Sequence, residues 1–395
     1  MVSRLLVFLV VLFMLSSSLP STFNEVSVRP SSTVSPDCGL LENLNFNGSR
    51  AFSDLEWQVS LGPRIPESNA SNEFRNNLSE FLESLGYVVE SQQHQHLNYN
   101  FTNVLAKYSS PHVQNNVKTV IFSAHYDSRN IADRDGNESL RSRPIDGAND
   151  GASGTAVLME LARLIPSMNL SYSVEFLWTD AEDQGQNFTL GSKAWAENLT
   201  FEEIDDIEAF ILLDMVGDKD LKLHKISPGN ASLYGQIELI AHRLGYGPNA
   251  TCQTDFPQGI LDYQKTTFVF DDHVHPHQLG IPSIDIMDPV YGDESYGGFG
   301  SLWHTTNDTI DNVSPEALTA VGRILEFGLQ NKYFVNFYND ESTNDTQQNQ
   351  TFDDNITTDA GTSAEKYILP SLISIGIFCL SVALFVYRLK KVRAR

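Results

Sequence analysis

Five short segments of this sequence combine imidazole and carboxylate side chains in patterns that could hold a cation and move a proton. Ser123-Ala-His125-Tyr-Asp127-Ser follows an apolar run, and a carboxylate two residues from a histidine can orient its ring. Asp146-Gly-Ala-Asn-Asp150-Gly-Ala-Ser-Gly154 sets Asp150 just before a helical stretch, among glycines that permit a sharp turn. Trp178-Thr-Asp180-Ala-Glu182-Asp183-Gln-Gly185 crowds three carboxylates together. Like charges so placed raise one another's pKa unless a cation binds. One acid can then be a ligand while its neighbour moves a proton. Asp214 ends the apolar run Leu212-Leu-Asp-Met, where a surface role is unusual. Trp303-His304-Thr-Thr-Asn-Asp308-Thr pairs an aromatic face with another imidazole.

Each segment has a plain structural reading as well. His125 alone is a satisfied core histidine, Asp150 an N-cap, and the Asp180 segment a solvated acidic turn. Their joint occurrence after apolar strands favours chemistry. Imidazole and carboxylate donors without thiolates suit zinc in an open catalytic site.

The elements that must position these residues alternate. Helical spacing covers Phe74–Leu85, Ala152–Ile165, Ser192–Leu199, Leu233–Leu244 and Pro315–Leu329. Short apolar runs at Val117–Ala124, Val174–Trp178, Ala209–Met215 and Pro282–Ile286 read as buried strands. Such alternation predicts an α/β sandwich around a mostly parallel sheet. Sites in such folds lie at the carboxyl ends of strands, where these polar residues fall.

The ends of the 395-residue chain predict a membrane-tethered protein. Leu5–Leu15, after Arg4, reads as the apolar core of a signal peptide spanning residues 1–20. A polar leader spans 21–36, a catalytic domain 37–336 and a polar stalk 337–366. Residues 367–387 read as a transmembrane helix. The basic tail 388–395 places the C-terminus in the cytoplasm and the body in an extracellular or lumenal space. The 15 Asn-x-Ser/Thr sequons, from Asn47 to Asn355, agree with a glycosylated exterior. Cys38 and Cys252 form one disulfide or remain two thiols. A net charge of −24 argues against nucleic-acid binding.

In this order the motifs resemble metallopeptidase family 28 and its relatives, the glutaminyl-peptide cyclotransferases. The likeness spans about Phe46–Asn331 and includes Leu61-Gly-Pro-Arg-Ile-Pro66. It implies a three-layer α/β/α sandwich with a central mixed, mostly parallel sheet, the phosphorylase/hydrolase-like fold of zinc exopeptidases. For a family-28 aminopeptidase it implies two zinc ions held by His125, Asp150, Asp183, Asp214 and His304, with Glu182 as general base. For an animal-type cyclase it implies one zinc on Asp150, Asp183 and His304, with Glu182 moving the proton. Asp183 stands where Glu is the commoner ligand.

Trp303 before His304, and Asp271-Asp272-His273, resemble cyclase segments. They imply a substrate-packing indole and an Asp271 that hydrogen-bonds Asp214. Asp285 stands where animal cyclases carry His. The expected function is therefore conversion of N-terminal glutamine to pyroglutamate on peptide substrates. An aminopeptidase is the alternative, and a non-catalytic surface receptor on the same scaffold a second one. His275 and His277 are read as surface or supporting residues, not ligands.

Overall fold

The computed structural model describes residues 35–337, apart from residues 97–98, 109, 111, 113–117, 185–186, 249–251, 253–255, 257–258 and 336. Its eight-stranded sheet runs in the order β1 (Val88–His96), β2 (Tyr99–Tyr108), β4 (Ser173–Thr179), β3 (Thr119–His125), β7 (Ile207–Asp214), β10 (Ser283–Met287), β8 (Leu223–Ser227), β9 (Leu261–Phe268). The pairings β4–β3, β3–β7, β7–β10 and β8–β9 are parallel. Those of β1–β2, β2–β4 and β10–β8 are antiparallel. A small ribbon pairs β5 (Asp183–Gln184) with β6 (Asn187–Phe188).

Strand alternation builds two cores. On β7, Ala209, Ile211 and Leu213 join the larger apolar cluster, while Phe210 and Leu212 join a smaller one on the opposite face. Helices α1 (Gly48–Ser60), α2 (Asn69–Ser84), α3 (Ala152–Met168), α6 (Ala231–Arg243) and α8 (Pro315–Gln330) contribute to the first. Helices α4 (Leu190–Glu197) and α5 (Phe201–Asp206) cover the second with Trp195, Ala196 and Ile204. A short helix, α7 (Val274–Gln278), precedes β10. The result is the expected three-layer α/β/α sandwich with a mixed, mostly parallel sheet.

Helix α3 is apolar nearly all round because it is buried among the sheet, α1 and α8. Two buried carboxylates secure its surroundings. Glu160 of α3 binds Arg50 and the backbone N–H of Asn47. Glu326 of α8 accepts the backbone N–H groups of Asn45 and Phe46. Cys38 and Cys252 are disulfide-bonded, with Cα atoms 5.4 Å apart, which decides between the two thiol readings.

The expectation of a single-pass membrane protein is corrected. Among the described residues no helix is long and apolar enough to cross a bilayer. The longest, α3, has 17 residues and is packed within the domain, where a span needs about 20 apolar residues. Membrane anchoring, an extracellular or lumenal body and a signal peptide thus have no support in the fold. The apolar stretches 5–15 and 368–387, the leader up to residue 34 and the stalk from 338 lie outside the described residues, as does Val117 at the expected start of β3.

Candidate metal centre and its cavity

Parallel register gathers three of the five motifs, and two loops bring Asp150 and His304 to them. His125 closes β3 beside Thr179 at the end of β4. Ser123 pairs with Leu212, so the same register continued along β3 and β7 brings His125 level with Asp214. His125 Nε2 lies 3.2 Å from Asp214 Oδ1 and 3.2 Å from Asp150 Oδ1. The other oxygen of Asp150, Oδ2, lies 3.6 Å from His304 Nε2, and Asp183 Oδ2 lies 3.1 Å from that nitrogen. Two buried clusters result, His125–Asp150–Asp214 and Asp150–Asp183–His304. They share Asp150.

Local backbone geometry serves this gathering. Gly151 has φ of 105°, and a Cβ there would sit 2.5 Å from the Asp127 carbonyl oxygen, so only glycine fits after Asp150. Ala181, Met215 and His304 take left-handed conformations, with φ of 57°, 46° and 56°. Such φ values are uncommon without glycine, and each lies at or beside a site residue.

The donors are oriented from behind. Asp127 stands 3.4 Å from His125 Nδ1 and accepts the backbone N–H groups of Glu182 and Asp183, each at 3.1 Å. Asp133 stands 3.4 Å from His304 Nδ1. Asp308 accepts the backbone N–H groups of Asn149 and Asp150, and a hydroxyl hydrogen bond from Tyr291. The guanidinium of Arg64, fully buried, donates to the carbonyls of Tyr126, Asp146 and Gly147, tying the first two motif loops together.

The electrostatics are those of a crowded acidic centre. Burial, and then the Asp271 charge, push the Glu182 carboxyl well above its ordinary value. Burial and Asp214 do the same to Asp271. Burial alone would depress the His125 imidazole, but the surrounding carboxylates of Asp127, Asp150 and Asp214 hold it well above its usual value. Burial and the neighbouring Asp150 push Asp308 up to about 7. Asp150 Oδ2 and Asp183 Oδ2 are buried with no hydrogen-bond donor. Donor-free buried carboxylate oxygens facing an imidazole fit a divalent cation, and the nitrogen–oxygen donor set fits zinc.

A cavity of about 310 Å³ opens over these residues. Asp150, Glu182, Asp183, Asp214, Asp271 and His304 form its polar wall. Trp303, Phe299, Phe188, Phe268 and Phe270 line its apolar side. The Trp303 ring stacks on His304, with centroids 3.4 Å apart. A larger cavity of about 650 Å³, lined by residues such as Gln92, Lys107 and Glu175, lies away from the cluster. Size alone does not locate the chemistry here.

All the expected site residues therefore converge, with His125 and Asp127 behind the cavity wall. Asp180 does not join them. It accepts the Thr102 backbone N–H and stands 3.6 Å from Arg75. His275 is hydrogen-bonded to Thr189 and is not in either cluster. Arg64, Arg129, Asp133 and Asp308 are not among the residues expected from the sequence. Arg64 and Asp308 lie inside the Leu61–Pro66 and Trp303–Thr309 segments, whereas the four-residue spacing of Arg129 and Asp133 is the one local trace of that pair.

Fold and site define a zinc-exopeptidase-like class. Residues 103–327 match the family model described as peptidase family M28, and the chain belongs to that family. Among solved structures it is similar to Tannerella forsythia glutaminyl cyclase, at 31% identity and a TM-score of 0.64, covering 73% of this chain and 99% of that one. Aminopeptidase YwaD of Bacillus subtilis is 26% identical over 211 residues, which span 52% of this chain but only 39% of that protein. The glutaminyl-peptide cyclotransferase of Boiga irregularis is 24% identical over 311 residues, 68% of this chain and 78% of that protein.

Proposed function

We propose that this chain is a zinc-dependent glutaminyl-peptide cyclotransferase, converting an N-terminal glutamine to pyroglutamate with release of ammonia. The observation that carries the reading is the pairing of Glu182 and Asp271 on the wall of one small cavity faced by Trp303. Two buried acids held above their usual range can hold and return protons near neutral pH. The likeness to the T. forsythia cyclase supports the same reading.

Asp150, Asp183 and His304 would hold a zinc ion, whose charge would polarise the γ-carbonyl of the glutamine. Glu182 takes a proton from the α-amine as that nitrogen attacks the carbon of the side-chain amide, Cδ. The new C–N bond closes the ring. Glu182 then returns the proton to the departing amide nitrogen, which leaves as ammonia. Asp271 and Asp214 hold the leaving nitrogen or share a proton between them, so the acids titrate as a set and not singly. Trp303 packs against the glutamine side chain, keeping the two ends of the reacting residue close.

One observation favours a second reading. Asp150 presents one oxygen to each imidazole, and His125 and Asp214 complete a second donor cluster. That arrangement supports a two-zinc aminopeptidase, in which Glu182 would activate water against the first peptide bond. A non-catalytic receptor is disfavoured, because neither Glu182 nor any of the five donors is missing. Mass analysis of a Gln-initiated peptide incubated with the full chain separates the two enzymes. Loss of one ammonia without shortening is the expected result. Release of the free N-terminal amino acid would sink the cyclase reading.

A further inference from the structure

Arg129 is buried beside the His304 half of the centre. Its Nε donates to Asp133 Oδ1 at 2.8 Å and its Nη2 to Asp133 Oδ2 at 3.1 Å, while Nη1 donates to Asp183 Oδ1. Asp133 in turn faces His304 Nδ1 at 3.4 Å. The guanidinium carbon also lies 5.4 Å from the centroid of the Phe188 ring on the cavity wall. One planar group thus grips a candidate ligand and the carboxylate in ion-pair contact with Nδ1 of another. Only a guanidinium offers donors in a rigid fork that can engage two carboxylates at once.

The consequence falls on Asp183. Its Oδ1 is taken by Arg129, while Oδ2 has no donor and points to His304 Nε2 at 3.1 Å. Aspartate has the shorter arm of the two acidic side chains, so its reach toward a cation depends more on how the carboxylate is turned. Asp133 beside Nδ1 likewise favours the tautomer that carries its proton there, leaving Nε2 free to donate electrons.

We propose that Arg129 is a positioning residue for zinc: it holds Asp183 to coordination through Oδ2 alone and, through Asp133, keeps His304 Nε2 facing the ion. This rests on the assignment of Asp150, Asp183 and His304 as zinc ligands. Arg129 itself need not touch substrate.

The test uses the full chain freed of metal, with zinc affinity read by competition with a chromophoric chelator and coordination read from the visible spectrum of the cobalt-loaded protein. Loss of such supporting contacts lowers metal affinity about 10- to 100-fold, and that drop is expected for at least one bound equivalent in R129M, with a shifted cobalt spectrum. R129K, which keeps the charge but not the fork, should fall between R129M and wild type. Wild-type affinity and spectrum in folded R129M overturn the proposal. If R129M does not fold, an unchanged cobalt spectrum in R129K overturns it. H304A separates the two layers. If H304A loses zinc while R129M keeps it, only the role of Arg129 fails. If wild type binds no zinc, or H304A binds it unchanged, the ligand assignment fails as well.

Discussion

His125 and His304 face opposite oxygens of one carboxylate, that of Asp150, at 3.2 and 3.6 Å. The two donor clusters are therefore not independent. Whatever binds one half feels the other through this side chain, which the Gly151 turn and the Asp308 hydrogen bonds hold in place.

Asp150→Asn should remove most of the zinc, because it strips the shared donor from both halves. His125→Ala distinguishes the stoichiometries. With a single ion on Asp150, Asp183 and His304, zinc per chain stays at the wild-type value, whereas with two ions it falls by half. Elemental analysis of the purified chain reads both variants. Chelation should also lower the thermal midpoint, since an ion bound only by the folded state stabilises it.

Glu182→Gln keeps the shape of the side chain and removes its proton acceptor. Turnover should fall about a hundred- to ten-thousand-fold, with zinc content unchanged. Steady-state kinetics together with metal analysis check this. Retained turnover would remove Glu182 from the chemistry.

Stability should fall in mild acid through His273. Burial pushes this imidazole down to about 3, and its Nε2 is hydrogen-bonded to the Pro228 carbonyl. Asp285, 3.8 Å from Nδ1, offers little counter-charge, because burial holds its own carboxyl well above the usual range. The sign follows from the depressed folded-state value. The unfolded chain takes a proton below about 6.5, while the folded chain resists until about 3. The neutral ring's contribution is thus present above about 6.5 and lost as pH falls toward 3. Urea unfolding of wild type and His273→Gln at pH 7.5 and 5 should show the smaller loss in the variant. Equal losses would exclude this residue.

Cys38→Ser should destabilise the chain by about 2–4 kcal/mol, the usual range for a native disulfide. The bridge joins residues 214 apart in sequence, so its loss frees a long loop in the unfolded state. Denaturant midpoints with and without reductant should converge in the variant and differ in wild type.

Much of this fold is legible locally. The apolar runs of β3, β4, β7 and β10 appear in the sequence because parallel strands buried on both faces must be apolar throughout. His125 and Asp214 end two of these strands, and Glu182 and Asp183 follow a third within five positions, whereas Asp150, Asp271 and His304 sit in loops that no such run announces. The β1–β2 hairpin is not legible. Strand β1 is an edge strand with no buried residue, and its Gln- and His-rich sequence carries no burial pattern. Asp180 misleads for a related reason. Sequence adjacency to Glu182 and Asp183 says nothing about direction, and the left-handed turn at Ala181 separates them.

The sequence alone determined the donor types, their order and, for His125 and Asp214, their attachment to strand ends, because side-chain chemistry and hydrophobic periodicity are local properties. It also carried the family likeness. Tertiary structure decided which donors meet. It gave Asp150 two imidazoles, paired Cys38 with Cys252, and set Arg129 against both Asp133 and Asp183. Apart from the Arg129–Asp133 contact, which is local, those relations span from about two dozen to more than two hundred residues. No local pattern encodes such distances, because they arise only when the sheet closes and its two cores are buried.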